Sequence, residues 1–180
     1  MPDDPRDLTT VANLKAWLSI STDTADAQLQ RLVTAVSVGI QAWLGRDLKA
    51  AQRTETFDGS GSDLLLLRQA PVASVARVTV DGREVPPTAY RATPSALVRV
   101  NGWWPAGWGN VVVTYTAGYD PIPVDVEQAC LELAAMRWRE RERIGLASKG
   151  FGQETTTFIT KDMPDSVRTA LLDYRRVAPC

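Results

Sequence analysis

Residues 111–143 read VVVTYTAGYDPIPVDVEQACLELAAMRWRERER, a strand, a corner and a long helix in one run. Val111, Val113 and Tyr115 alternate with Val112, Thr114 and Thr116, the period-two pattern of a strand with a buried face. Gly118 breaks that pattern. Pro121 and Pro123 cannot continue a ladder, but their fixed φ suits a first helical turn, so a helix is predicted to start between Pro121 and Val124. From Ala129 to Met136 only Glu132 is polar, which predicts a helix buried on most sides. At Arg137 the composition turns to RWRERER, an end that must reach water or a partner.

The rest of the chain is organised around this joint. A chain of 180 residues with 44% hydrophobic and 23% charged content can bury a core without disulfides, and one domain is the expectation. A net charge of -1 gives no global attraction to nucleic acid. Cys130 and Cys180 make no disulfide framework, and MPDDPRD lacks the basic and apolar regions of a secretion signal, so the expected setting is a reducing cytosol. No apolar run approaches membrane-spanning length. The chain has no histidine, which removes the commonest general base and metal ligand together.

Thr9 or Thr10 can cap a first helix carrying Val11, Leu14, Trp17 and Leu18. Leu29, Leu32, Val33, Val36, Ile40, Trp43 and Leu44 form one stripe of a second helix, with Gly45 as a left-handed stop. Strands are predicted at Arg53–Phe57, Leu64–Leu67, Ser74–Val80, Ala96–Val100 and Asn110–Thr116. Asp81-Gly82 is a type I′ hairpin signal that places Ala76, Val78 and Val80 on one face. The class is therefore α+β: a helical bundle of two N-terminal helices, a long central helix and a C-terminal helix, with an inserted antiparallel β module. The expected divisions are residues 1–50 for the first helices, 51–119 for the β module, 120–145 for the central helix, and 146–180 for a mobile loop and last helix. That last helix follows Pro164, with Val167, Ala170, Leu171 and Tyr174 on one face.

Four groups of residues are functional candidates. Gln30, Thr34, Ser37 and Gln41 lie opposite the apolar stripe of the second helix, where a face poor in charge reads either as an exposed polar surface or as a contact with another subunit. Arg137, Arg139, Arg141 and Arg143 read either as a solvated helix end with internal salt bridges or as a surface for acidic protein or DNA phosphate. Trp103, Trp104 and Trp108 either fill the end of the sheet or stack on sugars or bases. Asp58–Asp63 lacks the glutamate an EF-hand needs and precedes a strand rather than a helix, so it reads as a turn. The carboxylates Asp58, Asp63, Asp81, Glu84 and Asp120 have no spacing that pairs them for acid–base work. The residues point to no enzyme, no metal and no cofactor.

The order of WLGRDL, LLRQAPVASVARVTVDG, VTYTAGYDPIPVDVEQACLELAAMRWRERE and MPDSVRTALLDYRR resembles the head-tail connector (adaptor) proteins of tailed bacteriophages. The most specific part runs from Tyr115 to Glu142. This chain differs from the smallest members in its long β insertion. The resemblance implies a structural protein of the virion neck, made in the host cytoplasm: a dodecameric ring of copies docked under the portal protein, extending the DNA channel with transient DNA contact, and offering a platform to a tail-side neck or tail-completion protein. It also implies an arm from Leu146 onward that docks on the portal, with Phe151, Phe158 and Tyr174 as anchors and Arg175 and Arg176 pairing with acidic groups. The reading from another class is a carbohydrate- or surface-binding β module that uses Trp103, Trp104 and Trp108.

Overall fold

The apolar stripe of the second helix and the alternation of residues 111–117 seed two separate cores. The structure, a computed structural model, describes residues 4–141, 148–151, 154–157 and 163–175. In chain order the elements are α1 (Val11–Leu18), α2 (Asp26–Leu44), β1 (Ala51–Gly59), β2 (Leu64–Leu66), β3 (Val72–Val80), β4 (Arg83–Glu84), β5 (Tyr90–Ala92), β6 (Ala96–Arg99), β7 (Gly107–Ala117), α3 (Val124–Glu140), β8 (Ser148–Phe151), β9 (Glu154–Thr157) and α4 (Asp165–Leu171). They form two compact units, residues 1–46 with 122–180, and residues 47–121.

In the first unit α3 packs against α1, α2 and α4. The Thr10 hydroxyl caps α1 by accepting the Asn13 N–H, while Thr9 turns its hydroxyl to Glu127 at 2.9 Å. The stripe of α2 is buried as expected at Leu29, Val33, Val36, Ile40 and Leu44, and Gly45 ends the helix at φ 70°. Pro123 precedes α3, and Val126, Ala129, Cys130, Leu133 and Ala134 are buried along it. On α4, Val167 and Leu171 complete this core, whereas Ala170 is exposed, and the helix gives way to a 3-10 turn at Leu172–Tyr174.

The second unit holds a four-stranded antiparallel sheet in the order β1-β7-β3-β4 and a three-stranded one in the order β2-β6-β5. Val111, Val113, Tyr115 and Ala117 of β7 point into a core shared with Phe57, Leu65, Val78, Leu97 and Trp104. Asp81 and Gly82 both take positive φ, 49° and 76°, so the predicted hairpin turn forms between β3 and β4. The face expected along β3 is corrected by a bulge between Val75 and Arg77: Val75 joins Val78 and Val80 against the core, and Ala76 is exposed. At the corner after β7, Gly118 has φ 120°, and a Cβ there would lie 2.6 Å from the Lys49 carbonyl oxygen. Only glycine fits.

The stretch from Leu146 to Lys161 is read from sequence as a mobile loop with a short strand at Thr155–Ile159, and within it β8 and β9 pair antiparallel, with Ser148 opposite Thr157.

The Tyr115 hydroxyl donates to Glu55 at 2.8 Å and accepts the Gln69 N–H at 3.3 Å. Burial, followed by the Glu55 hydrogen bond, pushes its pKa up to about 12. The unfolded tyrosine ionises near pH 10, so above that pH the unfolded state gains relative to the folded one, and stability falls until the folded group itself ionises. Tyr115→Phe is expected to cost about 1 kcal/mol at neutral pH and to weaken the decline in melting temperature above pH 10. An unchanged alkaline decline in the variant would assign it to other groups.

Candidate functional site

The polar side of α2 is the first candidate that the fold relocates. Residues 4–8 lie over it. Gln30 donates to the Asp7 carboxylate at 2.6 Å, Gln41 donates to the Arg6 carbonyl at 3.0 Å, and the Ser37 hydroxyl accepts the Leu8 N–H at 3.0 Å. Ser37 is wholly buried and its Oγ lies 3.6 Å from the Cys130 sulfur. The expectation of a subunit contact through Gln30, Ser37 and Gln41 is therefore corrected. The face lacks charge because the chain's own N-terminal segment covers it, and short polar side chains satisfy the backbone of that segment. Thr34, half-buried, sits at its margin.

The arginine-rich end of α3 is exposed. Arg137, Arg139 and Arg141 all reach solvent, and among the described residues no ion pair joins Arg137 or Arg139 to a carboxylate. Arg141 folds back, its guanidinium 3.9 Å from the centre of the Trp138 ring and donating to the Trp138 carbonyl at 2.6 Å. Such stacking holds the guanidinium against the helix end. Arg143, Phe158 and Arg176 lie outside the described residues, and Phe151 falls in β8. Tyr174 and Arg175, expected on a free arm, are held by the bundle: the Tyr174 hydroxyl contacts both Asp125 carboxylate oxygens at 2.8 and 2.9 Å, and Arg175 stacks on Trp43 at 5.2 Å. The apolar face of α4 needs α3 for its burial, and that contact draws the following residues onto the bundle.

The three tryptophans of the β module divide. Trp104 is fully buried, its indole N–H donating to the Leu97 carbonyl at 3.4 Å and its ring covered by Arg99 at 5.0 Å. Trp103 and Trp108 are 73% and 94% exposed. The core-filling reading holds for Trp104, and Trp103 and Trp108 are left at the surface.

Among the described residues, no group of three histidine, cysteine or acidic residues is close enough to hold a metal ion. Burial pushes the Cys130 thiol up to about 11, so it is a protonated packing group rather than a nucleophile. No described helix is long and apolar enough to cross a membrane.

The described surface thus presents a cationic helix end on the helical unit and two displayed aromatic rings on the β module. The sequence profile of the head completion protein family matches residues 7–177, and the chain belongs to that family. It is similar to the head completion protein of Escherichia phage T5, 24% identical over 154 residues that cover 84% of this chain and 88% of that protein. Among solved structures, it matches a chain of the neck of an empty GTA particle computed with C6 symmetry, at TM-score 0.66 and 22% identity, covering 100% of this chain and 95% of that one. A chain of the neck of the native GTA particle, computed with C12 symmetry, matches at TM-score 0.64 and 22% identity, covering 100% and 94%. A third match, at TM-score 0.64 and 22% identity, is in the virion of the native gene transfer agent particle, covering 100% and 95%.

Proposed function

We propose that this chain is a non-enzymatic structural component of the neck of a phage-type particle, where it joins head to tail as a ring of copies beneath the portal. The observation that carries the proposal is the family match over residues 7–177. Similar chains in necks treated with C6 and C12 symmetry support a ring, with twelve copies as the number. In such a ring Arg137, Arg139 and Arg141 face acidic portal groups or passing DNA. A few exposed guanidinium groups on a chain of net charge -1 give local phosphate contacts without the grip of a wholly basic channel. Phe151, with Arg143, Phe158 and Arg176 from the same reading of the sequence, is assigned to the portal contact as well.

Removing the gene from the particle that encodes it is expected to leave DNA-filled heads without tails, and supplying the chain in trans should restore joined particles carrying it at the neck. Joined, infectious particles without the chain would overturn the neck role. A mixture of chain and purified portal, viewed in negative stain, tests the finer reading. The expected result is a ring under the portal, lost when Arg137→Glu and Arg139→Glu are combined; portal rings that stay bare with wild-type chain would sink that placement.

A further inference from the structure

The tip of the β module is a built display. Two stretches form it, residues 58–63 and 101–110. The Asn110 side chain accepts the Gly59 N–H at 2.8 Å and donates to the Pro105 carbonyl at 2.9 Å, tying one stretch to the other. Asp58 accepts the Gly109 N–H at 2.6 Å, and Gly109 needs φ 59° to present it. Trp104 exchanges backbone hydrogen bonds with the facing turn, its N–H to the Ser62 carbonyl at 2.7 Å and its carbonyl from the Gly61 N–H at 2.9 Å. The fit allows no added atom at Gly59, where a Cβ would lie 1.8 Å from the Pro105 oxygen. All this order ends in Trp103 and Trp108 standing in water, with Leu64 and Leu66 of the adjoining β2 also exposed.

Rigid loops that hold large aromatic rings out of the core bind with little ordering cost, and tryptophan is the side chain most enriched at the energetic centre of protein interfaces. We propose that Trp103 and Trp108 are a docking knuckle for another protein of the particle, whose receiving surface is an apolar slot bordered by arginine or lysine. The charge follows from the tip itself, where Asp58 and Asp63 are the charged residues of the two stretches. Those carboxylates repel the phosphates of nucleic acid. A glycan is disfavoured because the neutral polar side chains beside the rings are turned inward: Ser60 and Ser62 lie 2.7 Å apart with the Leu64 carbonyl at 3.2 and 3.1 Å, so their two hydroxyl protons serve the turn, and Asn110 uses both ends of its amide. The Asp58 and Asp63 carboxylates are the acceptors that remain for a sugar hydroxyl, so the test includes a glycan.

The proposal rests on the neck reading, and its test separates the two. Full-length chain, wild type or with Trp103→Ser and Trp108→Ser together, is supplied in trans to particles lacking the gene and titrated in vitro against three purified probes: the portal, the tail complex and a second, differently tagged copy. Both rings are exposed, so circular dichroism should be unchanged. The expected result is that the wild type binds the portal or the tail complex with an affinity that falls as salt rises, that the double variant binds it at least tenfold more weakly, and that Asp63→Lys also weakens it, whereas binding only to the second copy would overturn the proposed partner. Joined particles should drop in parallel. If the wild-type chain rescues particles but the double variant rescues and binds all three probes equally well, the knuckle is overturned while the neck role stands. If the wild type fails to rescue, the neck role itself fails. Saturable binding of neutral polysaccharide by the wild type, lost in the double variant, would overturn the protein partner in favour of a glycan.

Discussion

Ser37→Arg is expected to abolish folding of the helical unit, leaving insoluble or proteolysed chain. Ser37 is wholly buried between the backbone at Leu8 and the sulfur of Cys130. An arginine there must displace the N-terminal segment or crowd a desolvated guanidinium into a filled site beside Asp7, and burying a charge with overpacking costs more than about 4 kcal/mol. That is a large share of the roughly 5–15 kcal/mol that holds a domain. Ser37→Ala isolates the smaller contribution: it removes the acceptor for the Leu8 N–H and should cost about 1–2 kcal/mol. Thr34→Glu, one turn earlier and half-buried, should fold with a melting temperature only slightly lowered. Thermal melts of the three variants decide the matter. A soluble Ser37→Arg protein melting with the wild type would return this face to solvent and make it a candidate subunit contact again.

That contrast shows where local pattern stops informing. The stripe from Leu29 to Leu44, the stop at Gly45, the turn at Asp81-Gly82 and the alternation along β7 are properties of neighbouring residues, so periodicity and turn chemistry reveal them before any tertiary contact is known. β4 and β5 are two and three residues long and exist only through their partners, so no run of sequence announces them. The bulge at Ala76 is likewise a mismatch between two strands rather than a feature of one. The cover over α2 comes from residues 29 positions away at Ser37 and 23 away at Gln30. Even so, a signal was present: glutamines and serines without lysine or glutamate suit a face that bonds to backbone, and exposed faces favour charge. Trp103 and Trp104 are adjacent and chemically identical, so which ring goes inward depends on the sheet that receives it. The arginine run was plain in composition, but whether Tyr174 and Arg175 hung free or lay on the bundle depended on Asp125 and Trp43.

Trp104→Ala is the substitution that joins the core of the β module to its proposed docking surface. The ring is fully buried in contact with Tyr90, at 6.4 Å between centroids, and its indole N–H reaches the Leu97 carbonyl. Truncating a buried tryptophan leaves a cavity and typically costs about 3–5 kcal/mol. Arg99 would lose the ring it covers, and its Nη1, buried without a hydrogen-bond partner, would line an open void. Amide exchange at Val111 and Val113 reads this unit, and those amides should exchange at least a hundredfold faster, the opening equilibrium corresponding to about 3 kcal/mol. Trp104→Phe keeps most of the packed volume, loses the indole N–H, and should fall between the variant and the wild type. Because the backbone of residue 104 clasps Gly61 and Ser62, the alanine variant should also let Trp103 and Trp108 move, reducing probe binding although neither ring has been altered. Exchange at Val111 and Val113 unchanged from wild type would remove Trp104 from the centre of this core. Faster exchange with undiminished binding would separate the stability of the module from the posture of its tip.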